Sequence, residues 1–91
     1  MDKIIAKRYL FYGKVQGVGF RAITKWLARK YNILGWVKNN KDGSVSLFIE
    51  GKAKDMNKFI NHLKGFLKDN IEKTQEKKEK EQGFKEFKIL L

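Results

Sequence analysis

The chain has no cysteine, no proline and a single histidine in 91 residues. Without cysteine there is no disulfide framework, no thiolate metal site and no cysteine nucleophile. One histidine argues against a His-based zinc centre or a His-relayed catalytic triad. No apolar run approaches the ~20 residues of a membrane-spanning helix. The segment Met1-Asp2-Lys3-Ile4-Ile5-Ala6-Lys7 is too short and too charged for a signal peptide. The lack of proline leaves no stiff linker. What is present is 42% hydrophobic and 13% aromatic residues, enough for a packed interior rather than plain disorder. The length suits one core, so a single domain over residues 1–91 is expected. These features predict a small, soluble, cytoplasmic protein.

Acidic residues are scarce as well. Lys plus Arg number 21 against 10 for Asp plus Glu, a formal net charge of +11. The excess is uneven: residues 1–41 hold 10 basic and 1 acidic side chains, whereas residues 42–71 hold 5 and 4 and residues 72–91 hold 6 and 5. Basicity concentrated in one segment points to an anionic partner. Lysines that merely solvate the surface are the competing explanation, since Lys outnumbers Arg 18 to 3.

Residues 7–15 are rich in aromatic and branched side chains and predict a strand. A turn dotted with Gly13, Gly17 and Gly19 follows. Phe20, Ile23, Leu27 and Tyr31, with Ala28 between, then fall on one helical face, and Asn32 suits a left-handed residue closing that helix. Residues 34–39 predict a second strand. Asn40-Lys41-Asp42-Gly43 is a tight-turn signal, and Val45, Leu47 and Ile49 give a third strand with one better-buried face. Met56, Phe59, Ile60, Leu63, Phe66 and Leu67 mark a second amphipathic helix over roughly 53–68. Residues 71–81 are heavily charged with signs that nearly cancel, and a charged edge strand is the preferred reading. Phe84, Phe87 and Ile89 mark a short last strand. The order βαββαβ predicts an α+β, ferredoxin-like sandwich: one antiparallel sheet with both helices on one face.

The most informative stretch is Gly13-Lys14-Val15-Gln16-Gly17-Val18-Gly19-Phe20-Arg21, which leaves a strand and enters a helix. Successive backbone N–H groups at such a turn converge on an anion, and the helix N-terminus adds unpaired donors and a positive end. Arg21 in the first helical turn opposes the helix dipole and calls for compensation, which a bound phosphate supplies. The alternative is a glycine turn that only joins strand to helix. The dinucleotide fingerprint is absent, because Ala22 stands where its third glycine belongs, and the P-loop pattern fails because Val15 follows Lys14.

A second constellation runs Gly35-Trp36-Val37-Lys38-Asn39-Asn40-Lys41-Asp42-Gly43-Ser44-Val45. Taken alone it is an ordinary hairpin. Taken with the glycine loop, the sequence resembles the acylphosphatase family. The family pattern Gly-x-Val-Gln-Gly-Val-Gly/Cys-Phe-Arg is met from Gly13 to Arg21, and Gly-Trp-Val-x-Asn-x-x-Asp-Gly-x-Val from Gly35 to Val45. The resemblance spans essentially the whole chain. It departs only mildly: Asn32 stands where the family commonly has glycine, and residues 72–81 are unusually rich in Lys and Glu.

The resemblance implies hydrolysis of the mixed anhydride between a carboxylic acid and phosphate. It implies that Arg21 and the loop amides of Gln16, Gly17, Val18, Gly19 and Phe20 hold the phosphoryl group, and that the Asn39 side chain holds and orients the attacking water. It implies no metal and no cofactor. The partners expected are a small acyl phosphate, and inorganic phosphate as product and inhibitor; no membrane and no specific nucleic acid are expected, and the protein is expected to be a monomer. The chemistry is coherent without His, Cys or a required carboxylate, because a carboxylate is a good leaving group and phosphoryl transfer is chiefly positioning and charge stabilisation. Losing a water-positioning group or a phosphate clamp is expected to cost about 2.7–4 kcal/mol, by analogy with an oxyanion-hole donor.

The remaining residues carry plainer expectations. His62 is a surface or boundary residue on the second helix. Trp26 and Trp36 are packing residues, Asp42 shapes the turn, and Lys14, Lys38 and Lys41 either raise the local potential or solvate the surface. The rival function is a small basic nucleic-acid-binding module on the same sandwich. Its weakness is that Gln16-Gly17-Val18-Gly19-Phe20 lies between strand and helix rather than on a central strand, and the third strand offers only Phe48 for base stacking.

Overall fold

The computed structural model describes residues 3–90. The elements run β1 (Ile4–Gly13), α1 (Phe20–Lys30), β2 (Leu34–Asn39), β3 (Val45–Lys52), α2 (Ala53–Leu67), β4 (Ile71–Glu79) and β5 (Phe87–Leu90). The strands form one five-stranded sheet in the order β4-β1-β3-β2-β5. Three of its pairings are antiparallel, and β5 joins β2 in parallel. Both helices lie on one face, as the periodicity predicts. The core between them and the sheet is built from Phe11, Phe20, Leu27, Val37, Leu47, Ile49, Phe59 and Leu63, all essentially inaccessible to solvent.

Local chemistry explains the element ends. Asn32 adopts a φ of 56°, and the Ile33 amide bonds the Ala28 carbonyl at 2.8 Å, the six-to-one bond that closes a helix at a left-handed residue. Gly35 has a φ of 136°, and a Cβ there would overlap the Phe48 carbonyl on the neighbouring strand. The residues expected as a charged edge strand do form β4. It lies antiparallel to β1, with Lys7 Nζ 2.9 Å from Glu76 Oε2. The ladder thus has five strands rather than the four that apolar patterning alone marks, and its last strand is parallel rather than antiparallel.

One expectation needs correction. Trp26 is not a packing residue: it is 57% exposed, with Lys30 Nζ 5.7 Å from its ring centroid. On β3 the face of Val45, Leu47 and Ile49 is the better buried, as expected, but Phe48 and Glu50 on the opposite face, next to the half-buried Ser46, are buried as well. The reason is the connection between β4 and β5. It crosses this end of the sheet, where Glu50 accepts the amides of Gln82 at 2.8 Å, Gly83 at 3.4 Å and Phe84 at 2.5 Å, and the Phe84 ring packs on Phe48. A buried carboxylate is tolerated because backbone donors satisfy it. His62 is a boundary residue as expected; its Nδ1 lies 2.9 Å from the Tyr31 hydroxyl and its ring stacks on Phe66.

Candidate active site

Residues 14–19 carry the chain from β1 to α1 through two left-handed glycines, Gly17 and Gly19, each at a φ of 77°. No side chain crowds Gly17, so its requirement is conformational: a Cβ at positive φ is strained even in open space. Gly19 is the N-cap of α1. Among the described residues no side chain caps this helix, and no acidic residue lies in its first turn. The first-turn amides have no partner within the helix, and the first bond of the helix runs from Ile23 N to Gly19 O at 2.9 Å. Thr24, buried beneath, donates its hydroxyl to the Phe20 carbonyl at 2.6 Å and ties down the turn that presents Arg21.

Asn39 ends β2, opposite Val45 of β3. Its side chain reaches the same cleft as Arg21. That cleft, about 340 Å³, is lined by Val15, Gly17, Gly19, Phe20, Arg21, Ala22, Asn39 and Ile89. It holds one charged side chain, a set of backbone donors and apolar walls. The Asn39 Oδ1 is buried and accepts no hydrogen bond from the described residues. An orphaned buried acceptor carries a desolvation penalty of about 1–3 kcal/mol, so a group at the end of a strand that is left this way calls for a ligand or a water.

The turn after Asn39 is rigidly bonded. Asp42 Oδ1 accepts from the Ser44 amide at 2.9 Å and the Ser44 hydroxyl at 2.6 Å, and these bonds hold its carboxyl below the usual range. Asn40 Nδ2 donates to the Ser44 and Ser46 hydroxyls at 2.9 and 2.8 Å. Asp42 therefore shapes the turn, as its position in the sequence suggests.

Among the residues singled out from the sequence, Gly17, Gly19, Phe20, Arg21 and Asn39 line one cleft. Gln16 and Val18 do not. The Gln16 side chain turns away to bond the turn after β2, and Val18 points outward, 39% exposed. The sequence did not single out Ile89 as a wall of the cleft. Its only signal was alternation with Phe87 on the last strand, which says nothing of which strand it joins.

Comparison with known proteins shows the family and the fold. A model of the acylphosphatase family matches residues 7–89. The acylphosphatase of Bacillus licheniformis is 39% identical over 85 residues, covering 90% of this chain and 93% of that protein. The crystal structure of acylphosphatase from Bacillus subtilis superposes with a TM-score of 0.86 at 28% identity, covering 96% of this chain and 99% of that one. Full-length HypF, crystallised in a phosphate- and nucleotide-bound form, contains a region similar to the chain at a TM-score of 0.87 and 33% identity; the chain spans 12% of its length. A glycine loop opening an uncapped helix, an arginine and an asparagine in one cleft, and a family match over nearly the whole chain lead to one conclusion: this chain belongs to the acylphosphatase family.

Proposed function

We propose that the protein hydrolyses acyl phosphates to carboxylate and inorganic phosphate in this cleft. Arg21 and the amides of the loop from Gln16 to Phe20 hold the phosphoryl oxygens, and Asn39 orients the attacking water. The observation that carries the reading is the buried, unpartnered Asn39 Oδ1 in the cleft that holds Arg21. An amide oxygen accepts a hydrogen bond from the water and fixes its lone pair toward phosphorus, although a neutral amide does not deprotonate it. The new bond forms between the water oxygen and phosphorus. The bond between phosphorus and the bridging oxygen breaks, and its electron pair leaves with the carboxylate. The water's proton passes to a phosphoryl oxygen of the substrate. Arg21 and the helix N-terminus stabilise the charge on the equatorial oxygens throughout.

The reading includes a reaction independent of metal ions, a monomer, a cytoplasmic setting, and phosphate as a competitive inhibitor that occupies the same cradle. Among the described residues no helix is long and apolar enough to cross a membrane. The test is hydrolysis of a simple acyl phosphate with and without chelator, and with added phosphate. Turnover that survives chelation and is competitively inhibited by phosphate supports the reading. Loss of turnover in chelator removes the metal-independent mechanism, and noncompetitive inhibition by phosphate removes the shared cradle.

A further inference from the structure

The helices cover one face of the sheet, and the other face presents an ordered array. Cross-strand partners define rows, because residues directly opposite each other share a face. One row takes a residue from every strand in spatial order: Lys77 of β4, Arg8 of β1, Phe48 of β3, Trp36 of β2 and Lys88 of β5. At ~4.8 Å per strand it spans about 19 Å. The next row is Gln75, Leu10, Ser46, Lys38 and Leu90, and a third pairs Lys73 with Tyr12.

Cations flank flat rings on this surface. The Arg8 guanidinium lies 5.4 Å from the centroid of Trp36, the Trp36 ring stacks on Phe48 at 6.1 Å and 17°, and Lys73 Nζ lies 5.7 Å from the centroid of Tyr12. The three rows hold the cations Lys77, Arg8, Lys88, Lys38 and Lys73 and no carboxylate. The row beyond holds Glu79, 3.8 Å from Arg8, and Glu50, whose oxygens take the loop amides. Between β1 and β4 lies a concavity of about 540 Å³ lined by Arg8, Tyr9, Leu10, Gln75, Glu76 and Lys77, with Glu76 held by Lys7. Neither these residues nor Trp36 and Lys88 line the cleft of Arg21 and Asn39.

An apolar partner would leave these cations desolvated, and a polyanion without rings would make no use of Trp36 and Tyr12. A single strand of nucleic acid uses both: its phosphates meet the lysines, and its unstacked bases lie on aromatic and guanidinium planes. We propose that the open face of the sheet binds single-stranded nucleic acid, with Arg8 and Trp36 as the stacking platform and Lys38, Lys73, Lys77 and Lys88 along the backbone path. Phe48, fully buried, lies beside Trp36 on the neighbouring strand and beneath the Phe84 ring, so it supports the platform without itself meeting the ligand. Recognition is tolerant of sequence, because stacking accepts any base. Linear order shows one aromatic on β3; the strand register sets Trp36 beside it and Tyr12 two residues further along β1 from Leu10.

The test titrates the full chain into a labelled single-stranded oligonucleotide of about eight nucleotides, alongside a duplex of the same length and a polyphosphate of matched charge. The proposal expects the single strand to bind at least about tenfold more tightly than either competitor, since stacking on one base contributes a factor of roughly 5 to 150. It expects log affinity to fall with log salt by about 0.7 for each phosphate neutralised, and Lys77→Gln and Lys88→Gln each to lower that slope by about 0.7. Arg8→Gln weakens binding about tenfold or more. These three variants keep acyl-phosphate turnover, which shows that they fold and separates this proposal from the catalytic one. No binding, equal binding to duplex or polyphosphate, or binding indifferent to Arg8→Gln and Lys77→Gln overturns it.

Discussion

Gln16 Nε2 donates to the main-chain oxygens of Asn40 at 2.7 Å and Ser44 at 2.9 Å. The glycine loop is thereby bonded to the turn that follows Asn39, although the two segments are separated by more than twenty residues. The bonds link the loop that carries the phosphate donors to the strand end that carries the water-holding amide. Gln16→Leu removes both bonds and unties the loop from the turn, whose carbonyls keep only their backbone donors, Gly43 N and Asn40 N. A displacement of about 1 Å in such a site costs on the order of a hundredfold in rate. Gln16→Leu is therefore expected to lower kcat by about 10- to 100-fold with a folded far-UV spectrum, and Gln16→Glu to fail to restore it, because a carboxylate donates to neither carbonyl. Wild-type kcat in Gln16→Leu would show that the loop holds its place without this tie.

Gly35 carries a φ of 136° and would meet the Phe48 carbonyl with any Cβ. Gly35→Ala therefore combines backbone strain with a steric clash between β2 and β3. The strain alone is worth about 1–3 kcal/mol. Urea unfolding should show at least that loss of stability. Gly43→Ala, where nothing lies within 4 Å of the Cβ, has backbone strain alone and should be the milder change. Equal effects at the two positions would mean that the close approach to Phe48 is not a constraint.

The pH dependence follows from the groups present. The cleft of Arg21 and Asn39 is lined by no carboxylate, imidazole, thiol or amine side chain, so turnover across about pH 5 to 8 should follow only the substrate's own ionisation. Below it, Asp42 is the group to watch. Its carboxyl is held below its ordinary value of 3.8 by the Ser44 hydroxyl and amide. A lowered folded-state pKa means that the turn is fully stabilised above 3.8 and loses that contribution as pH falls through the lower value. An NMR titration of the Ser44 amide should show an inflection below 3.8 that disappears in Asp42→Asn. An inflection at or above 3.8 would contradict the bonding pattern.

Much of this molecule is legible in its sequence because its strongest signals are local. The apolar stripe from Phe20 to Tyr31 and the one from Met56 to Leu67 mark both helices. Asn32 and Gly19 mark conformations that few other residues adopt cheaply. β4 is blurred because it is an edge strand: Ile71 and Thr74 are half-buried, the intervening residues face solvent, and no apolar alternation is needed. The burial of Glu50 and Phe48 was hidden for a different reason, since it depends on where a later connection crosses the sheet. Trp26 shows the limit of composition, for a large ring signals packing even where it is left outside. At the site, Arg21 and Asn39 were found through their motifs, but the Gln16 bond needs the fold, because both acceptors are main-chain atoms that any residue supplies.

The central claim is that Asn39 orients water for attack on a phosphoryl group held by Arg21 and the loop. The direct measurement is the turnover of an acyl phosphate by Asn39→Ala beside wild type, with phosphate inhibition measured on both. The expected result is a loss of kcat of about a hundred- to a thousandfold, while the phosphate inhibition constant changes little and the circular dichroism spectrum matches wild type. Turnover by folded Asn39→Ala at the wild-type rate would contradict the account.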